Sequence, residues 1–185
     1  MVDESQIISG CIKGDRKAQE QLFINYSKRM MVISMRYTKG IQEAEDVLQE
    51  AFIKVFKHIK NFKQDSSLYY WIKKIVVNTA LNSQRSKLYL YPMVDADSLK
   101  ESSGIDCHLS DYALNDLLDL IQSLPTGCQV IFNLYAIEGY KHHEIAKMLD
   151  ISEGTSKSQY ARARSLLQEK IRKNEQMSYE KYQRK

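Results

Sequence analysis

Glycine and proline are scarce in this chain, at seven and two among 185 residues. Few tight turns are therefore available, and the long stretches filled by Lys, Glu, Gln, Leu, Ile and Ala have the composition of helices. Cysteine is equally sparse: Cys11, Cys107 and Cys128 are odd in number and far apart. They form no CxxC or Cys/His metal spacing, so neither a disulfide framework nor a zinc module is indicated, and they read as reduced thiols. No run of about 18 apolar residues occurs, and MVDESQIISG at the N-terminus has neither a basic start nor an apolar stretch behind it. No membrane insertion is expected, and the compartment expected is the cytoplasm.

What is present is charge in blocks. The formal net charge is only +4, but residues 41–52 carry four acids (Glu43, Glu45, Asp46, Glu50) and no base, whereas residues 54–87 carry eight Lys/Arg against Asp65 alone. Residues 86–112 return to an acidic excess, with five acids against Lys87 and Lys100, and from 157 onward nine Lys/Arg face three Glu. Two basic regions set apart by acidic ones point to two places that meet phosphate and one that meets something else.

Apolar spacing gives the architecture. Phe23, Tyr26, Met30, Ile33 and Tyr37 repeat at three and four residues, one face of a helix over 17–38. Ala44, Leu48, Ala51, Val55 and Ile59 continue the pattern over 42–60, with Val47 and Phe52 at its edges. A third helix is expected from a Ser66/Ser67 cap to about residue 85, burying Leu68, Ile72, Ile75 and Thr79. Residues 86–111 lose periodicity and carry Pro, Gly, Ser and the acidic excess, so they read as a linker. Helices are then expected over 112–123, 127–137, 141–149 and 153–174. The fold class is all-α: two small helical domains on a flexible linker, divided as 1–86, linker 87–111, 112–175 and a basic tail 176–185.

The C-terminal segment has the layout of a helix-turn-helix. Ile145, Ala146 and Leu149 lie on a short helix and Ile151 in the turn. Asp150 sits where the turn needs a left-handed residue, and Ser152 is placed to cap the second helix, with Glu153 favourable against its dipole. On that helix Ser156, Tyr160, Ala163 and Leu167 share the packed side. Gly154, Thr155, Lys157, Ser158, Ala161, Arg162 and Ser165 are expected to point outward, a bare face of small, hydroxyl and cationic residues suited to a major groove.

Two further faces stand out in the first domain. Opposite the apolar stripe of 42–60 lie Gln42, Asp46, Gln49, Glu50 and Ile53, an aliphatic residue ringed by acids, which suits a protein partner and would repel DNA. Helix 66–85 is expected to turn Tyr70, Lys73, Lys74, Val77, Asn78, Leu81, Gln84 and Arg85 outward. Cations mixed with an aromatic and amides fit a nucleic-acid backbone and its bases. The preceding loop offers Asn61, Lys63, Gln64, Asp65 and Ser66, polar groups able to form a pocket for an extruded base.

These motifs resemble a known family. AEDVLQEAFIKVFKHIKNF followed by SSLYYWIKKIVVNTALNSQRS is similar to region 2 of the extracytoplasmic-function-type sigma factors, and LPTGCQVIFNLYAIEGYKHHEIAKMLDISEGTSKSQYARAR to their region 4. The resemblance covers nearly the whole chain in the family's order. It implies that Asp46, Gln49, Glu50 and Ile53 bind the clamp helices of the RNA polymerase core enzyme. It implies that Asn61, Lys63, Gln64, Asp65 and Ser66 on the loop, with Lys74, Asn78 and Arg85 on the helix, read and help melt the minus-10 element. Lys157, Ser158, Ala161 and Arg162 would read the minus-35 element. The partners so implied are core polymerase and promoter DNA, double- and single-stranded, with an anti-sigma factor a further candidate. Two residues depart from the pattern: Asp150 replaces the usual turn glycine, and Ser156 stands where an aliphatic residue commonly packs. No counterpart of regions 1 and 3 of the larger sigma factors is expected in these residues.

Other function classes have less behind them. His142, His143 and Glu144 are neighbours that point different ways on a helix and lack the HExxH spacing, so no metal, cofactor or catalytic set is expected. The alternative from another class is an autonomous helix-turn-helix regulator with a ligand-sensing or dimerising N-terminal domain. It has no use for an acidic ridge and a second basic helix.

Overall fold

The computed structural model describes residues 3–90 and 114–183, all of whose regular elements are helical. The chain divides into two compact units, residues 1–86 and 87–185. The segment expected as a linker lies, beyond Leu90, outside the described residues.

The first unit holds α1 (Glu4–Ile12), α2 (Arg16–Tyr37), α3 (Ile41–His58) with a 3-10 turn at Ile59–Asn61, and α4 (Leu68–Leu90). Asp3 and Asp15 cap α1 and α2 by accepting from the backbone amides of Ser5 and Lys17, which satisfies donors the helix itself cannot. Between them Gly14 turns the chain with φ +80°, open to glycine without a Cβ penalty. Gly10 serves another need: a Cβ there would lie 2.5 Å from the Cβ of Ala18, so its absence lets α1 and α2 meet closely.

The stripes expected on α2 and α3 are buried, with one exchange. Leu22 is fully buried in the place expected of Phe23, which is more than a third exposed and meets Phe52 edge-on at 4.8 Å. Tyr26, Met30, Ile33 and Tyr37 follow on the same face, and Ala44, Val47, Leu48, Ala51, Phe52, Val55 and Ile59 are buried from α3 and its turn. Each fully buried Leu, Ile or Met contributes about 1.5–3 kcal/mol by leaving water. Polar ties fix the helices further: the Tyr26 hydroxyl donates to the Glu4 carboxylate, joining α2 to α1, and Lys54 donates from α3 to the Thr79 hydroxyl of α4 at 3.2 Å.

The second unit holds α5 (Leu114–Gln122), α6 (Thr126–Phe132), a π-helical turn at Asn133–Ile137, α7 (His142–Leu149) and α8 (Glu153–Gln183). Leu120, Ile121, Leu124, Cys128, Phe132, Ala163, Leu167 and Ile171 form its core, so α5, α6 and the first half of α8 close on one another. Within the π-helical turn the Glu138 amide donates to the Asn133 carbonyl at 2.9 Å, a wider ring than an α-helix makes. A continuous helix was expected over 127–137; the wide turn adds a residue to its last circuit and changes which side chains face α7. Two boundaries also differ from expectation: α4 runs on to Leu90, and α8 to Gln183.

Candidate nucleic-acid and polymerase interfaces

Three faces carry the side chains singled out in the sequence. On α3, Asp46, Gln49, Glu50 and Ile53 are all exposed, directly opposite the buried stripe. Ile53 is 67% exposed, more than any other large apolar side chain described. Glu50 pairs with Lys54 at 2.7 Å, and the same ammonium reaches Thr79. The ridge is thus an aliphatic residue flanked by carboxylates, one of them tied back to the helix.

The second face begins with the loop after α3. Phe62 turns inward and packs against Trp71, ring centroids 5.4 Å apart, which anchors the loop at one point. Around that anchor Asn61, Lys63, Gln64, Asp65 and Ser66 are exposed. Gln64 takes φ +60°, in the left-handed region that L side chains pay roughly 1–2 kcal/mol to adopt. The Ser67 carbonyl then accepts from the amides of Tyr70 and Trp71 and starts α4. On α4, Tyr70, Lys74 and Asn78 are exposed at steps of four residues and form one stripe continuous with the loop. Lys73 is half-buried, and Val77, Leu81 and Gln84, expected outward, are buried at 4%, 7% and 1% exposure. The outward face of α4 is therefore narrower than the sequence pattern predicts, because the helix is covered over a wide arc. The side chain of Arg85 lies outside the described residues.

The third face is the helix-turn-helix. Asp150 adopts φ +55° and ψ +52°, the left-handed turn expected of it, and the Ile151 amide donates to the Ala146 carbonyl at 3.1 Å. Ser152 caps α8: its hydroxyl accepts from the Thr155 amide at 2.9 Å and lies 2.8 Å from the Thr155 hydroxyl. Thr155 is consequently buried, not outward as expected. Gly154, Lys157, Ala161, Arg162 and Ser165 are exposed. Ser158 is half-buried and donates to the Thr155 carbonyl at 3.1 Å. Lys157 pairs with Glu153 at 2.7 Å, which holds the Glu153 carboxyl below its usual range.

Beneath this face lies a group of rings that the sequence does not reveal. His142 stacks on Tyr135 of the π-helical turn at 4.2 Å and approaches Tyr160 of α8 at 5.9 Å, while its Nδ1 lies 2.9 Å from the hydroxyl of fully buried Ser156. Burial first, and then the neighbouring Lys157 ammonium, lower the pKa of His142, with Glu153 acting the other way. Buried Ser156 thus replaces an aliphatic contact by a polar one. Residues 135, 142 and 160 belong to three different elements, and no periodicity in the sequence could have joined them. Among the described residues no group of His, Cys, Asp and Glu is placed to hold a metal ion.

The chain matches two family models, Sigma-70 region 2 over residues 22–88 and Sigma-70 region 4 over residues 114–167. It is 31% identical over 171 residues to the ECF RNA polymerase sigma-E factor of Escherichia coli, covering 86% of this chain and 89% of that one. This chain belongs to the ECF RNA polymerase sigma factors. The RNA polymerase sigma-H factor of Pseudomonas aeruginosa is 29% identical over 180 residues, covering 89% and 91% of the two chains. In fold the sigma factor is similar to RpoE of Bartonella quintana, solved in complex with the anti-sigma factor NepR. That match has a TM-score of 0.51 and 22% identity, covering 83% of this chain and 96% of that one.

Family membership bears out the resemblance read from the sequence and makes the protein a specificity subunit for promoter-directed initiation. Its region 2 match contains the α3 ridge, the loop and all but the last two residues of α4; its region 4 match contains the helix-turn-helix. An autonomous regulator would not carry region 2 in place of a sensing domain, so that alternative is set aside. Among the described residues of the sigma factor, no helix is long and apolar enough to cross a membrane.

Proposed function

We propose that this sigma factor assigns its three faces to three different contacts. The α3 ridge of Asp46, Gln49, Glu50 and Ile53 docks on core RNA polymerase. Asn61, Lys63, Gln64, Asp65 and Ser66 on the loop, with Lys74, Asn78 and Arg85 on α4, read the minus-10 element and hold it open. Lys157, Ser158, Ala161 and Arg162 of α8 read the minus-35 element in the major groove.

The single observation that carries this division is the separation of charge within the first unit. The exposed side of α3 presents Asp46 and Glu50 on the N-terminal side of Ile53, while the exposed stripe of α4 presents Lys74 between Tyr70 and Asn78 and runs on from a polar loop with Lys63. A polyanion is repelled by the first and attracted by the second, so one small body can hold enzyme and nucleic acid at once without competition. On α8 the exposed Ala161 leaves room for a base edge beside Arg162, whose guanidinium can take guanine O6 and N7 together. Ser158, half-buried and already donating to the helix backbone, retains an acceptor for a base or phosphate.

The work is done in the cytoplasm and is binding work, with no covalent step assigned to any side chain. An anti-sigma factor is a fitting antagonist, since covering the Ile53 ridge would block assembly with polymerase. Reconstitution of core polymerase with this chain, followed by transcription of genomic template and mapping of starts, tests the proposal. The expected result is a set of starts sharing two sequence elements about two helical turns apart. Starts that do not depend on the chain would refute it.

A further inference from the structure

Ser156 and Tyr160 stand one turn apart on the inner side of α8, and both meet the same side chain of α7. Ser156 is fully buried, and its hydroxyl lies 2.9 Å from Nδ1 of half-buried His142, the first residue of α7. Tyr160 approaches the His142 ring at 5.9 Å with the planes 60° apart, and the Tyr135 ring at 4.5 Å. Tyr135 in turn stacks on His142 at 4.2 Å with the planes 13° apart. The imidazole is thus steadied from the π-helical turn and meets α8 at two points. The residue after each of those points, Lys157 and Ala161, is exposed on the face proposed for the major groove. An apolar contact is non-directional and lets a helix roll, whereas a hydrogen bond weakens steeply with distance and angle. A roll of about 20° carries the end of a helical side chain about 2 Å, enough to gain or lose a base edge.

We infer that His142 is a positioning residue for the recognition helix: through Ser156 it fixes the roll of α8, and thereby which base pairs Lys157 and Ala161 address. The inference rests on the reading of α8 as the helix that enters the minus-35 major groove, and it gives a role to two residues outside the set named for that contact. A buried hydroxyl left without a partner is costly, and a serine within a helix can otherwise turn back on the carbonyl four residues before it. Here the hydroxyl is set against α7 instead, so its partner choice ties the two helices together. A ring stacked on Tyr135 keeps Nδ1 in one place, which a flexible polar side chain would not do. The specificity of the motif is therefore set partly from beneath, by a pair that takes no part in the reading.

The test uses the full chain with core polymerase on the strongest promoter mapped by the transcription experiment. It reads competition by templates that carry each single base substitution in the upstream element. Ser156→Ala, and His142→Phe, which keeps a ring for Tyr135 but no nitrogen, are each expected to lower discrimination about fivefold at one or two adjacent base pairs. At the remaining base pairs discrimination is expected to stay within about twofold of the parent. The two substitutions together are expected to be no worse than either alone, the signature of one shared contact. His142→Asn, which offers a polar group near the place of Nδ1 and no ring, is expected to keep the parent's preferences within about twofold. Ser156→Ala with the preferences of the parent overturns the inference. So does an equal loss at every base pair, the result of destabilising the second unit without turning its helix. Preferences kept by His142→Phe and lost by His142→Asn assign the effect to stacking and overturn the role of the polar pair. Should His142→Phe fail to fold, Ser156→Ala decides alone. A parent that maps promoters with no upstream-element preference removes the minus-35 reading first, and this inference with it, before any variant is compared.

Discussion

Nδ1 of His142 and the hydroxyl of Ser156 lie 2.9 Å apart, tying the first residue of α7 to the first turn of α8 across the turn that Asp150 makes. The two helices of the DNA-reading motif are thus joined by a polar pair under a lid of aromatic rings. The hydroxyl can donate to a bare Nδ1 or accept from a protonated one, so a proton on the ring costs stability through burial and Lys157 and not through loss of this contact.

Burial and Lys157 keep the His142 pKa below the ordinary histidine value of 6.5, so the folded motif prefers the neutral ring. A depressed folded-state pKa means the stabilisation is present above the unfolded value and lost as pH falls through 6.5 and on through the lower folded value. The titratable neighbours are Lys157 and Glu153 on α8, together with the phenols of Tyr135 and Tyr160. The protection of amides in α7 and the start of α8, after correction for the intrinsic slowing of exchange at lower pH, is expected to fall as pH drops from 7 to 5, and to fall less in His142→Gln. Proton NMR showing His142 titrating at or above 6.5 would rule this out.

Ser152 closes the free amide end of α8 through Thr155. Ser152→Ala is expected to reduce the stability of the second unit by about 1 kcal/mol, as loss of an N-cap does. Because the cap also draws Thr155 inward, duplex binding should weaken in step with stability. Urea unfolding followed by exchange of the Ala163 and Leu167 amides checks this; an unchanged midpoint would show the cap to be idle.

Gly10 faces Ala18 with no room for a Cβ. Gly10→Ala is expected to force α1 away from α2 at a cost of about 1–3 kcal/mol, the usual penalty of overpacking, despite the better helix propensity of alanine. Thermal unfolding reported by the lone Trp71 would reveal it, and equal or higher stability would mean the helices can part freely.

The ridge and the recognition helix should fail separately. Asp46→Arg or Ile53→Asp is expected to weaken association with core polymerase at least tenfold, since a central apolar contact and its charge frame are lost. Arg162→Ala should leave association intact and weaken upstream-element binding by about 1–3 kcal/mol. Holoenzyme assembly by fluorescence anisotropy and promoter competition separate the two. Equal losses in both assays from either variant would contradict the division.

Much of this was legible in the sequence because the relevant signals are local. Apolar spacing marked the buried sides of α2 and α3. Asp150 and Ser152 announced their turn and cap, since both act through their own backbone. What escaped were features set by partners distant in sequence. Leu22 and Phe23 both continue the spacing of Tyr26 and Met30, and only the approach of Phe52 decides which is left half in water. Val77, Leu81 and Gln84 looked like an outer face because one stripe was assigned to a helix covered over a wider arc. The π-helical turn moved Tyr135 out of phase and onto His142, where no repeat of three or four residues would have placed it.

The ammonium group of Lys54 joins two helices of the first unit: it grips Glu50 on the exposed ridge of α3 and the hydroxyl of Thr79, which is buried on the packed side of α4. Whatever draws Glu50 toward a partner must therefore pull against, or surrender, a crossbar whose other end is anchored between the two helices. Occupation of the ridge thus reaches the seat of the neighbouring helix through one flexible side chain.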